Sequence, residues 1–142
     1  TLFNMSAENY INELYQTDDE IERVTGEKPE FFRPPHGFYT GRKLNKIDKK
    51  AVLWSNDPAD WKHQDAEYVY NYLIQNAEDG KIFLLHDTKQ TTVEGVLNAI
   101  SDLKEQGYSF VRVDELLCRN GDYLASGLAY RSCKYDKSPT YF

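Results

Sequence analysis

Apolar and polar positions along the chain follow two periods in turn. Ile11, Leu14, Ile21 and Val24 recur at roughly helical spacing, Ser6 stands where an N-cap oxygen is needed, and Gly26 ends the run. This predicts a helix over 7–25, bent near Thr17, Asp18 and Asp19, with the acidic run 18–20 as its solvated face. Residues 30–33 read as a short strand cut off by Pro34 and Pro35, whose rings fix φ and remove two backbone donors. A short helix over 41–48 and a second strand over 51–54 follow. Residues 65–76 carry Tyr68, Val69, Tyr72 and Leu73 at helical spacing, ahead of a turn at Asp79 and Gly80.

The most apolar run, 81–85, is short and lies between that turn and a polar His-Asp-Thr, which predicts a strand buried on both faces of a parallel sheet. A helix over 92–106 turns Val93, Val96, Leu97, Ile100 and Leu103 inward and stops at Gly107. Residues 108–113 read as a fourth strand, and Asp114 as the cap of a short helix reaching Cys118. Strands alternating with helices over short connections imply right-handed βαβ units, and so an α/β fold with a parallel sheet.

Composition narrows the partners more than the fold. The 142 residues are 40% hydrophobic and 28% charged, which fits one globular domain. A formal net charge of -6 opposes a nucleic acid or an anionic membrane surface. No apolar run reaches the length of a membrane span, and residues 1–5 carry neither a basic nor an apolar signal region. The expectation is either a cytoplasmic chain or a targeting segment upstream of Thr1. The eleven tyrosines suit stacking on sugar rings and equally suit ordinary half-buried positions. Cys118 and Cys133 fit a disulfide or two thiols.

Chemistry in parallel α/β folds collects beyond the C-terminal ends of strands, where loops converge. Three predicted strands end in unusual residues: Arg33-Pro34-Pro35-His36-Gly37, then Asn56-Asp57-Pro58-Ala59-Asp60-Trp61, then His86-Asp87. Each alone is ordinary, since an arginine before a rigid turn is more often a surface ion-pair partner and a lone histidine more often structural. Their joint order at strand ends is what points to a site. His36, His63 and His86 stand in separate loops without a carboxylate or histidine at ligand spacing, so the residues present predict no metal centre of their own.

Taken together, Arg33 to Gly37 (R-P-P-x-G), Asp57 to Trp61 (D-x-x-D-W) and Leu84 to His86 (L-x-H) resemble the last three of the five ordered motifs of the polysaccharide deacetylase, or NodB-homology, family. The resemblance covers about residues 5–117, leaving 118–142 as a C-terminal extension. It implies part of a deformed (β/α) barrel whose N-terminal strands are missing from this chain. It implies metal-dependent hydrolysis of acetyl groups, most readily N-acetyl, from a polysaccharide such as peptidoglycan. Acetylxylan ester cleavage and a non-catalytic glycan-binding remnant are the alternatives.

By the same resemblance, His86 is the general acid, Asp60 tunes it by accepting its other ring proton, and Arg33 orients the catalytic base. Trp61 and Leu84 form the slot for the acetyl methyl group. Pro35, His36 and Gly37 border the substrate, with the His36 N–H helping to hold the oxyanion. The family more often has an aromatic residue such as tyrosine where His36 stands. The resemblance places the base and the ligands of a divalent metal, zinc or cobalt, in a segment preceding Thr1. It therefore calls for that segment or a second chain to complete the barrel, and for an extracellular or cell-envelope location.

Overall fold

The computed structural model describes residues 5–119, 121 and 123–133. They fall into two compact units, the first formed by residues up to Leu53 together with a segment from Tyr123 to Tyr130, the second by Trp54 onward and residues 131–133.

The first unit begins with α1 (Ala7–Thr25). The Ser6 side chain accepts the Asn9 N–H at 3.2 Å, and Gly26, at φ 86°, closes the last turn through its N–H to the Glu22 carbonyl. Its inward face is not the expected apolar stripe. Tyr10 and Asp18 are its buried residues, whereas Ile21 and Val24 are 37% and 71% exposed. The acidic run is likewise not one solvated face. Asp18 is buried against Lys49, while Asp19 pairs with Lys28 and Glu20 with Arg23 at the surface. A carboxylate is tolerated there because a buried lysine neutralises it.

Strand β1 (Phe31–Phe32), helix α2 (Gly41–Leu44) and strand β2 (Lys50–Val52) follow. β2 is central in a parallel three-stranded sheet: Phe32 pairs with Ala51 on one side, and on the other Ala51 pairs with Ala129 and Val52 with Tyr130 of a late strand, the last element among the described residues. That strand, residues Ala129–Tyr130, lies in the segment read from the sequence as an extension. Gly127, at φ 74°, precedes it. A Cβ there would stand 3.0 Å from the Leu44 carbonyl oxygen, so the turn requires glycine twice over. Tyr10, Leu44, Ile47 and Ala51 form the core, with Leu14, Phe32 and Ala129 packed around it.

The second unit contains the short α3 (Asp60–His63), then α4 (Ala66–Asn76), α5 (Gln90–Glu105) and α6 (Val113–Cys118). With these named, the late strand Ala129–Tyr130 is β3. Asp65 caps α4 by accepting the Tyr68 N–H at 3.0 Å. Val69 and Leu73 of α4 pack on Ala99 and Leu103 of α5, and Gly95 lets the two helices meet.

Three expectations need correction here. The run 81–85 makes two isolated bridges rather than a ladder, Asn56 to Phe83 and Lys81 to Ser132, and all five residues are half-buried. The partner segment turns away at Asp57 and Pro58, and proline has no N–H with which to extend a ladder. Residues 108–112 form no strand, and Phe110 and Val111 are each 53% exposed. Helix α6 starts two residues earlier than expected, capped at Arg112 and not at Asp114, with the Glu115 carboxylate accepting the Arg112 N–H at 2.9 Å while Asp114 pairs with the Arg112 guanidinium. Cys118 and Cys133 are both thiols. No helix among the described residues is long and apolar enough to cross a membrane.

Candidate active site

The local chain path around Asp60 is unusual for ordinary residues. Ala59 and Gln64, on either side of α3, have left-handed backbones at φ 52° and 46°. An alanine resists that conformation, which costs on the order of 1–3 kcal/mol unless its surroundings hold it. Asp57 holds it by accepting the Ala59 N–H at 2.8 Å, an Asx-type turn. The result is a single helical turn that drives Asp60 wholly inside, 0% exposed, and leaves the next residue, Trp61, 54% exposed.

Inside, Asp60 meets three donors. Its Oδ1 lies 2.8 Å from the His86 ring Nδ1, and its Oδ2 accepts both the His86 backbone N–H and the Thr92 hydroxyl, each at 2.8 Å. His86 follows the half-buried 81–85 segment, which is held beside 55–56 by the Leu84 N–H donating to the Asn56 carbonyl at 3.0 Å. Thr92 comes from the first turn of α5 and is 2% exposed. Burial pushes the Asp60 carboxyl up, but the hydrogen bonds from the His86 ring, the His86 N–H and Thr92, with the charge of His86, hold it below the ordinary aspartate value. An ionised Asp60 is acceptor only, so Nδ1 carries the proton it receives. The His86 side chain is 40% exposed, so the ring stays in reach of solvent while its Nδ1 is engaged with Asp60.

Asp60 and His86 are therefore joined directly, as their positions in sequence suggest. Thr92 was not legible as part of this cluster, because a threonine in the first turn of a helix reads as a helix-start residue and nothing more. Trp61 and Leu84 flank the pair in sequence, the first exposed and the second half-buried. Arg33, Pro35, His36 and Gly37 belong to the first unit. There the Arg33 Nε–H donates to the Val52 carbonyl at 3.3 Å, and His36 takes a left-handed backbone at φ 56° within a 3-10 turn over Pro35–Gly37. The His36 ring lies 5.9 Å from that of Phe38. His63 is stacked on Tyr68 at 4.2 Å.

Among the described residues no three His, Cys, Asp or Glu side chains gather as a ligand set, so these residues on their own do not fit a metal ion.

The polysaccharide deacetylase family model matches residues 1–52. The chain is 33% identical over 129 residues to the peptidoglycan-N-acetylglucosamine deacetylase of Listeria monocytogenes, covering 91% of this chain and 27% of that protein. A peptidoglycan-N-acetylglucosamine deacetylase of Bacillus cereus is 38% identical over 123 residues, covering 80% of this chain and 57% of that one. In structure, a family 4 acetyl xylan esterase from Clostridium thermocellum in complex with a cobalt ion superposes with a TM-score of 0.82 at 30% identity, covering 92% of this chain and 66% of that chain. The chain thus spans only about a quarter of the Listeria protein's length.

Proposed function

Because this chain belongs to the polysaccharide deacetylase family, we propose that the protein it forms hydrolyses acetyl groups from a glycan, with the N-acetyl groups of peptidoglycan as its substrate. The observation that carries this reading is the imidazole of His86, held at Nδ1 by a buried carboxylate on a side chain that stays 40% exposed. Such a group can give a proton at Nε2 while Asp60 offsets the positive charge through Nδ1–H. A water adds to the acetamide carbonyl and gives up its proton to the base that the family resemblance places outside the described residues; as the C–N bond then breaks, the proton on Nε2 passes to the departing sugar nitrogen, leaving an amine and acetate, and a proton from solvent restores His86. Imidazole suits the task because it titrates close to neutral pH in ordinary surroundings.

Arg33 orients the base, Trp61 and Leu84 take up the acetyl methyl group, and Pro35, His36 and Gly37 border the sugar. These roles come with the family resemblance and are proposed with it. The divalent metal, zinc or cobalt, is held by groups outside the described residues, in a further segment or a second chain that completes the barrel; the cobalt ion of the clostridial relative supports a divalent metal. A peptidoglycan substrate puts the protein in the cell envelope or outside the cell.

The test is acetate release by the full-length protein from N-acetylated peptidoglycan fragments and from acetylated xylan. Turnover of the first above the second supports the reading; turnover of xylan alone moves the substrate to an ester, and turnover of neither removes the activity.

A further inference from the structure

The proposed acid chemistry uses His86 and Asp60, and leaves unexplained why a third side chain, from a different helix, is buried against the same carboxylate. Asp60 binds His86 twice, through the ring and through the backbone N–H. Those two bonds run to different oxygens, so they set the plane of the carboxylate relative to the imidazole. They do not settle which oxygen carries the charge. The Thr92 hydroxyl joins the His86 N–H on Oδ2, both at 2.8 Å. Two donors on Oδ2 oppose a proton there, and at 2% exposure Thr92 stands where water cannot easily replace it.

We infer that Thr92 is a positioning residue for this site. Resting on the functional reading above, its hydroxyl saturates Oδ2 so that Asp60 stays ionised and its Oδ1 is committed to the Nδ1–H of His86, which presents Nε2 to the substrate. The hydroxyl comes from the start of α5, an element anchored by Ala99 and Leu103 in the core. The orientation of the acid is thus tied to α5, a helix packed against α4, as well as to the 81–85 segment that carries His86.

The experiment is Thr92→Val in the full-length protein, which keeps the volume of the side chain and removes its donor, alongside Thr92→Ser, which keeps the donor, and Thr92→Ala in case the valine variant does not fold. The other ionisable groups on the elements meeting here, Asp57, Lys62, His63, Asp87, Lys89 and Glu94, stay in place. The first readout is nitrogen NMR of the His86 ring, which needs no activity. The donor-less variants are expected to lose the fixed Nδ1–H tautomer and to shift the His86 titration, and the serine variant to keep both. The second readout is kinetic: kcat about tenfold lower with KM little changed for valine or alanine, restored by serine, as the loss of one hydrogen bond to a charged group predicts. An unaltered His86 tautomer and titration in the valine or alanine variant would overturn the inference. An altered tautomer in a protein that releases no acetate would leave this positioning intact and remove the deacetylase reading instead.

Discussion

Asp18, in the middle of α1, holds Lys49 in an ion pair almost entirely out of water, the two residues being 3% and 5% exposed. Removing one partner leaves a buried charge unanswered, which costs about 3–5 kcal/mol, whereas replacing both with apolar residues of similar volume is often neutral. Asp18→Ala and Lys49→Ala are each expected to destabilise the fold by that amount, and the pair Asp18→Leu with Lys49→Met to recover most of it. Denaturant unfolding of the three variants checks this; additive losses in the double variant would contradict it.

On the proposed reading of His86 as general acid, His86→Ala is expected to lower turnover on the order of 10²–10⁴-fold with the content of any bound metal unchanged. The measurement is acetate release together with metal content in the full-length protein. Loss of metal in parallel with activity would make His86 a ligand and not an acid.

The depressed Asp60 carboxyl ties stability to pH in a definite direction. A carboxyl with a lower pKa folded than unfolded contributes its full stability above the unfolded value, about 3.9, and loses it as the pH falls through the folded one. The stability difference between the native sequence and Asp60→Asn is therefore expected to be constant near neutrality and to shrink below about pH 4. Urea unfolding at a series of pH values reads this out; a difference that grows on acidification would reverse the sign.

Gly95→Ala tests the contact between α4 and α5. The added Cβ would stand 2.5 Å from the Ala66 carbonyl oxygen and 2.9 Å from the Val69 Cβ, and both neighbours are fixed in a helix. Overpacking of this kind costs about 1–3 kcal/mol, against a gain of roughly 1 kcal/mol in helix propensity. A lower melting temperature than that of Ser101→Ala, an exposed control on the same helix, is the expected result.

Local signals carried furthest where one residue decides the geometry. Ser6 and Gly26 bound α1, and Asp65 starts α4, because caps act within one turn of the chain. Apolar runs misled where burial depends on distant partners. Ile21 and Val24 have the spacing of a core stripe but remain 37% and 71% exposed, and residues 81–85 look like a central strand yet form isolated bridges and no ladder. The Asp60 to His86 bond was legible because both follow predicted strand ends. Thr92 and the left-handed turn at Ala59 were not, since neither a buried hydroxyl nor a strained φ leaves a mark in residue type. The third strand of the sheet went unseen because two residues, Ala129 and Tyr130, offer no periodicity to read.

The pairing of Ala51 with Ala129 also has a consequence for biosynthesis. The sheet of the first unit is discontinuous in the chain, its middle strand emerging from the ribosome long before its edge strand. At roughly 5–20 residues per second, β2 waits several seconds with one side unpaired while the second unit is made. Over that interval the nascent chain presents a bare strand edge, a template for pairing with other chains. Expression yield should therefore depend on chaperone supply and temperature more steeply than the stability of the finished protein alone would require.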